Sequence, residues 1–566
     1  MSIQSELETK YSKKMLPHVI NEEYIEKYVH LGDEGELSAV LFAVISKHIQ
    51  PIQNAISLIS SQGYTWEEAI DIIDRWSSLG LFSVEVHDSG KLTIKSKVRQ
   101  TQRVRDVIAN MGVLPPILGN VRDWTNPYDG GYETIRHSAI LGGGNQHDDY
   151  ISLDALNKLQ SIRWKLNKNV LFNYTDTTSY DKTQSMKVYA DLIGEDFGFM
   201  WQEDKRGRLY CKGYDITFQG TEYHKALLDF NDGEVLTQEG ADGLLTAIAG
   251  AFGYDKELWD KRISLGHELF LERVTRNSDD SYTVDSEGAE EPILFTKYIG
   301  AYMDTLYGEE VFTPIGFDAT ASGLQVMACL TGCIQTAKAV NLVNTGKREN
   351  VYNAVSSEMN KILVGDDRVT AKLVKKPTMT HYYNSLAGPK EVFNEEQLVA
   401  FYEGLEGAFP GPEQFMKLVN DIWTDRDTYV WHLLDGHTAY IRTNVVETAT
   451  INVTEDISFE YDYSEHKPCG NGRHLVANVT HSVDGWVARE MIRRCDFQIA
   501  TIHDAYFCHP NNYKAMLQMY REVLADLARS NLLQDILTEL AGYPITITKD
   551  GDALAELILK SEYALS

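Results

Sequence analysis

The period of the apolar positions changes several times along this chain. Over Thr65 to Trp76 they recur at helical spacing, with Thr65 ahead of Glu67 and Glu68 as a start signal and Gly80 as a stop. The run LFSVEVHDSGKLTIKSKV alternates instead on both sides of Asp88-Ser89-Gly90, the pattern of a β-hairpin. A helix followed by a hairpin fits a DNA-binding winged helix or a small structural α+β subdomain. Glu85 and Asp88 are poor phosphate partners and favour the second. Residues 1–60 read as acidic amphipathic helices. Residues 113–150, with LPPILGN, NPYDGGYE and LGGGNQHDD, read as loop and mark a boundary. Gly142-Gly143-Gly144 is not a phosphate loop, because no Lys-Ser/Thr follows it. A helix is expected from Leu153 to about Val170. Beyond it residues 195–350 mix strands and helices, 350–400 are helical, 425–470 are strand-rich and 480–566 mixed. Alternation without a regular βαβ rhythm predicts an α+β fold rather than a doubly wound sheet.

Composition adds little until charge is counted. Hydrophobic residues are 43% and charged residues 24%, which excludes a disordered or fibrous chain. The 566 residues suggest several folding units or one large multi-lobed enzyme. Lys plus Arg is 53 against 82 Asp plus Glu, a net charge of −29. Whole-surface attraction to nucleic acid is thereby excluded, and any such binding needs a local basic cleft. The six cysteines form no CxxC pair, and Cys329 and Cys333 read as core thiols on one helix. The longest apolar stretch, Gly243 to Tyr254, falls well short of the roughly 20 residues of a membrane-spanning helix. MSIQSELETKYSKKM has no apolar signal-peptide region. The expectation is a reducing, cytoplasmic compartment.

Four constellations carry candidate chemistry. TPIGFD reads as a strand ending in Asp318, followed by the helix SGLQVMACLTG with Ser322 as N-cap. QIATIHDAYFCHP reads as a hairpin whose turn presents Asp504. Two strand-end acids brought side by side could hold two divalent ions about 3.5–4 Å apart, the arrangement that supports in-line phosphoryl transfer. Lys375, Met379 and Tyr383 recur every four residues, one stripe of a helix. Their segment, Asp366 to Lys390, carries five basic residues against Asp366 and Asp367. Such a stripe can hold a triphosphate and stack on a base. Last, DKRGRLY at Asp204 to Tyr210 places arginines around a glycine, which suits a turn contacting phosphates.

Together and in this order the four resemble the single-subunit, phage-type DNA-directed RNA polymerases, which include mitochondrial transcriptases. D-x-x-x-SG(I/L)Q is matched by Asp318 with Ser322-Gly323-Leu324-Gln325, K-x-x-x-M-x-x-x-Y by Lys375, Met379 and Tyr383, and HD(S/A) by His503-Asp504-Ala505. D-x-RGR-x-Y matches Asp204 to Tyr210, HKALLDF brings Lys225, YDKELW brings Lys256, ENVYN brings Tyr352, and HSVDG begins at His481. The resemblance covers about Leu153 to Ser566, and implies a right-hand polymerase fold. Residues 1–150 would be an N-terminal domain, 151–200 a reduced thumb, 201–346 and 482–566 the palm, and 347–481 the fingers. It implies that Asp318, Asp504 and the Ala319 carbonyl hold two Mg²⁺. Lys375 would contact the nucleotide's phosphates and could protonate the leaving group. Tyr383 would gate the insertion site and, with His481, favour ribose. Arg208, Lys225, Lys256, Tyr352 and Met379 would complete the substrate site. The implied partners are a DNA template, nascent RNA and ribonucleoside triphosphates; a phage enzyme acting in an infected host is the expected setting.

The chain departs from the pattern at several points. Ala371 stands where the family has an Arg four residues before Lys375, with Lys372 or Arg368 as substitutes. Pro377 should kink the helix or mark its start, and Asn384 replaces a turn glycine. The C-terminal segment Tyr563-Ala564-Leu565-Ser566 lacks the family's aromatic foot. The promoter-reading hairpin region, Ile451 to Lys467, holds five acids against one Lys, poor for positioning on DNA phosphates. The expectation is therefore a single-stranded template or an accessory protein that recruits or opens DNA. Rival readings are a family A DNA polymerase, a primer synthase, a two-metal nuclease and a non-catalytic scaffold. SGLQ after Asp318 argues against the first, whose sugar gate there is bulky and acidic.

Overall fold

The computed structural model describes residues 2–86, 92–111, 113–173, 179–192, 194–279, 281–422, 426–452, 458–468 and 474–566. The chain divides into two units. The first comprises residues 1–115, 133–135 and 444–467, and the second the remainder.

In the first unit, helices α1 (Ile3–Tyr11) and α2 (Met15–Tyr28) precede α3 (Glu34–Ser46), which is capped by the Asp33 carboxylate accepting from the Glu36 amide at 2.9 Å. Strand β1 (Ile49–Pro51), α4 (Ile52–Ser60) and α5 (Trp66–Ser77) follow, then β2 (Phe82–Val86), β3 (Leu92–Ser96) and α6 (Gln102–Asn110). The start signal at Thr65 is a capping box with Glu68, and Gly80 at φ +85° ends the turn after α5. The strands form an antiparallel sheet in the order β1-β3-β2, with Ile49 and Ser83 both opposite Lys95. Val40 and Ile45 of α3, Ile56 of α4, Ile72 and Trp76 of α5 and Ile94 of β3 meet in one core. The sequence Asp88-Ser89-Gly90, expected as the hairpin's turn, lies outside the described residues. Buried Glu8 accepts from the backbone amides of Glu133, Thr134 and Ile135 and from the Gln4 side chain. Burial alone would raise its pKa, but these bonds, with that from the Thr134 hydroxyl, hold it below the usual carboxylate range. The 444–467 segment pairs Asn444–Asn452 with Ser458–His466, from Asn444 opposite His466 to Asn452 opposite Ser458.

The second unit departs from expectation at its first helix. Leu153–Gln160 is helical, but Trp164–Leu166 is a strand and Lys168–Asn173 a separate helix. The strand pairs with Leu228–Phe230. It places the fully buried Trp164 against Phe199, Phe218 and Phe230, with ring centroids 4.9–6.2 Å apart. An aromatic cluster of this size outweighs the local helical preference. Strands β4 (Trp201–Glu203) and β5 (Leu209–Cys211) form one hairpin. A central sheet is built from β6 (Ile315–Asp318), β7 (Ile499–Ile502) and β8 (Ala505–Cys508), in the order β6-β8-β7. Around it lie α7 (Ser322–Thr331), α8 (Val351–Ile362), α9 (Ala371–Tyr382) and α10 (His474–Arg494). Cys329 is buried in α7, but Cys333, expected on the same helix, lies beyond its end at Thr331 and is only half-buried, accepting a hydrogen bond from the Thr336 hydroxyl at 3.2 Å. Cys469 lies outside the described residues. No helix among them is long and apolar enough to cross a membrane.

Candidate active site

Strand pairing places the two acids. Asp318 ends β6 opposite Ala505, and the Ala319 amide donates to the Asp504 carbonyl at 3.1 Å. Asp504 stands in the two-residue turn between β7 and β8, after His503 at φ +58°. The Asp318 side chain is open to water on one side. Surrounding protein and the Asp504 charge together push its pKa up. Two repelling carboxylates at a wet cleft floor are a fitting donor set for hard cations such as Mg²⁺, which bind one or two carboxylates and keep waters and phosphates as other ligands. The Ala319 carbonyl accepts from the Ala321 amide at 2.9 Å and keeps a second lone pair.

After Ala319 the chain turns sharply. Ala321, at φ +64°, precedes α7 and supplies no side-chain cap. Ser322, expected as the cap, is instead the first helical residue. Gln325 is fully buried. It donates to the Val340 and Ala564 carbonyls at 3.0 and 2.8 Å and accepts from Tyr520 at 2.7 Å. Ala319 and Leu565 pair as an antiparallel bridge, and the Ser566 amide donates to the Asp318 carbonyl at 3.0 Å. The C-terminal segment without an aromatic foot therefore still lies along the acid-bearing strand.

Three cavities lie along this segment, one lined by Asp318, one by Asp504 and one by the residues that follow Ala319. One, of about 350 Å³, is lined by Lys256, Arg348, Lys372 and Lys375 against one acid, Glu349, with Thr320, Ala321, Ala371 and Tyr352. The Lys375 ammonium lies 5.8 Å from the centroid of the Tyr352 ring. Lys372 is thus the residue that takes a place beside the gap left at Ala371; Arg368 is not on this wall. A second, of about 130 Å³, joins Tyr352, Met379, Tyr383 and Thr480 to Asp504. A third, of about 330 Å³, puts Lys225, Arg262, Arg348 and Glu291 beside Asp318. There the Lys225 ammonium donates to Glu291 at 3.0 Å.

Helix α9 carries Lys375 and Met379, with Tyr383 at its C-cap and Pro377 inside it. Asn384 adopts φ +61°, as the turn after Tyr383 requires. The Tyr383 ring lies against His481 of α10, with centroids 5.0 Å apart at a 46° tilt. Arg206 donates to the His481 Nδ1 at 2.7 Å. A guanidinium cannot accept, so Nδ1 is the acceptor and Nε2 carries the proton. Burial and the charges of Arg208 and Arg206 push His481 down to about 3, so it is neutral at working pH. Asp204 accepts from the Arg206 side chain at 2.8 and 2.5 Å and from the Arg208 amide at 3.2 Å. Gly207, at φ +80°, has no room for a Cβ, which would meet Arg489 at 2.5 Å and His437 at 2.6 Å. Three of the four non-glycine residues at positive φ among the described residues, Ala321, Asn384 and His503, border this site.

Sequence reasoning missed Asp484. It lies on α10, is 4% exposed, and accepts from Arg208 at 2.5 Å. Burial pushes it up to about 6, against the pull of Arg208 and with a further push from Asp504. Its only sequence signal is an acid inside the largely apolar helical run of HSVDGWVA. Asp484→Ala leaves a buried guanidinium uncompensated and is expected to lower stability by about 3–5 kcal/mol. Asp484→Asn, which keeps a hydrogen-bond acceptor, should cost less; denaturant titration of both variants checks the order. Arg348 was missed as well; it lines two of the three cavities.

Residues 234–428 match the family described as DNA-dependent RNA polymerase. A probable DNA-directed RNA polymerase of Gelasinospora sp. is 24% identical over 74% of this chain and 60% of its own length. The chloroplastic DNA-directed RNA polymerase 3B of Nicotiana tabacum is 22% identical over 72% of this chain and 48% of its own. The mitochondrial enzyme of Schizosaccharomyces pombe is 23% identical over 50% of this chain and 32% of its own. This chain therefore spans 60% or less of the length of these relatives.

Proposed function

From a chain that is a relative of the phage-type, single-subunit DNA-directed RNA polymerases, we infer template-directed ribonucleotidyl transfer. The observation that carries it is the placement of Asp318 at the end of β6 beside the β7–β8 turn that bears Asp504, next to a cavity walled by Lys256, Lys372, Lys375 and Tyr352. Asp318, Asp504 and the Ala319 carbonyl would hold two Mg²⁺, which when bound supply activation of the RNA 3′-hydroxyl and stabilise the departing pyrophosphate. The lysines and Arg348 bind the triphosphate, and Lys375 gives a proton to the leaving group. Tyr352 offers an aromatic face. Arg208, fixed by Asp484, and Lys225, tied to Glu291, hold the acid cleft's flanks. Met379 and Tyr383 bound the insertion cavity. Neutral His481 presents its Nε2 proton beside Tyr383, a donor suited to a ribose hydroxyl. DNA template, nascent RNA and ribonucleotides are the partners of this reading, with an accessory protein for promoter opening or a single-stranded template that needs none.

The test is extension, primed and unprimed, on single-stranded and duplex DNA with ribo- and deoxynucleotides in parallel. Ribonucleotide-only synthesis is expected, and comparable use of deoxynucleotides would move the chain to the DNA polymerase reading. In the same assay Tyr383→Phe should reduce preference for ribose by roughly tenfold, the worth of one hydrogen bond of about 1.4 kcal/mol. Unchanged preference would remove Tyr383 from sugar selection.

A further inference from the structure

The first unit contains the connectivity of a winged helix: α3, β1, α4, α5, β2 and β3, with the sheet ordered β1-β3-β2. In a helix-turn-helix reader the second helix of the motif enters the major groove. Here that helix is α5, and its exposed residues include Glu67, Glu68, Asp71 and Asp74 against Arg75. It would be repelled by a phosphate backbone. The opposite charge lies elsewhere in the unit. Residues 92–105, LTIKSKVRQTQRVR, hold five basic residues and no acid, in a chain of −29.

The fold lays these cations out in order. Lys95, Lys97 and Arg99 are exposed, while Ile94, Ser96 and Val98 between them are buried. Alternate residues of an extended chain stand ~7 Å apart on one face. Pairing continues past β3, since the Lys97 amide donates to the Leu81 carbonyl at 2.8 Å, so this line is held rigid. Among the described residues none of the three has an ion pair. Glu85, the acid on the neighbouring strand, accepts from Ser83 at 2.9 Å. Arg105 is exposed on α6 and bonds to the Gln100 carbonyl and Gln102 side chain, not to a carboxylate. Arg103 is held by Glu22 at 2.8 Å and is left out.

We propose that Lys95, Lys97, Arg99 and Arg105 form a docking strip for the phosphate backbone of duplex DNA, used in place of the acidic α5. Single-strand binders add aromatic platforms for unstacked bases. The strip has none: residues 92–105 contain no aromatic. The contact is therefore with backbone alone, independent of sequence and salt-sensitive. It goes beyond the polymerase reading and needs none of the acid-site residues.

The test uses the full chain and a labelled duplex, with anisotropy followed across salt concentrations. The triple variant Lys95→Ala, Lys97→Ala, Arg99→Ala should bind roughly tenfold more weakly at low salt. It should also lower the slope of log affinity against log salt by about 2 to 3, at ~0.9 for each phosphate no longer neutralised. Primed incorporation on a short template should stay at the unmodified rate, which separates this proposal from the polymerase reading. Each single variant should remove part of the slope. Complete loss from one substitution would signal a rearranged fold and overturn the phosphate assignment. An unchanged slope, as expected if the strip serves an acidic protein, would overturn it too. Equal loss on a single strand of the same length would overturn the duplex assignment.

Discussion

Asp504→Asn is expected to lower Mg²⁺-dependent ribonucleotide incorporation by roughly 10³-fold or more while leaving the fold intact. Removing one preorganised group that acts on developing charge costs about 10²–10³ in rate, and a group that also holds an ion costs more. The fold control carries its own sign. Burial and the Asp504 charge raise the folded-state pKa of Asp318 above its ordinary 3.8. A carboxyl with a raised pKa contributes stability that is complete below the unfolded value and lost as pH rises through the folded one. In metal-free buffer at pH 7 the two charges therefore strain the native chain. Asn at 504 removes that repulsion, so the variant should melt at the same temperature or higher. The difference should shrink as pH falls and protonation of Asp318 removes the repulsion. Activity retained at a tenth or more of the unmodified level would remove Asp504 from the reaction, and a lower melting point at pH 7 would show that it is structural.

Lys375→Ala should lower kcat/KM by roughly 10²–10³, or 2.7–4 kcal/mol, with most of the loss in kcat. The charge lies beside Tyr352 in the cavity shared with Lys256 and Lys372, where a triphosphate's negative charge grows as the leaving group departs. The adjacent residue provides the contrast. Lys376 points away from that cavity, is 69% exposed and pairs with Glu391 at 3.4 Å. Exposed pairs of this kind contribute little, so Lys376→Ala should change kcat/KM less than twofold. Equal effects at both positions would mean that α9 contributes only net charge.

What could be read in advance follows from the range of the interactions involved. A strand ending in an acid, a four-residue stripe and an apolar hairpin are local patterns, and Asp318, Lys375 with Tyr383, and Asp504 were all legible. The α+β mixture and the pairing of Phe82–Val86 with Leu92–Ser96 were legible for the same reason. Asp484 was not, because its meaning depends on Arg208, 276 residues away. Ser322 resembles a helix cap because local chemistry allows it; the left-handed Ala321 before it takes the cap position instead. The continuous helix expected after Leu153 failed at Trp164, whose neighbours Phe199, Phe218 and Phe230 come from other segments. The basic strip was passed over because the hairpin was judged on Glu85 and Asp88, while its exposed cations become a line only when Lys97 continues the pairing beyond β3.

The order of the strands around Asp318 also sets a timetable. β6 ends at residue 318, but its partner β8 begins at residue 505, and the bridge to Ala319 comes from residue 565. At roughly 5–20 residues per second on the ribosome, the strand bearing the first acid waits about 10–40 seconds with its edges unpaired. Lone apolar strands invite pairing with other chains. Early chaperone capture should therefore raise the soluble yield of this protein more than any change to its finished surface.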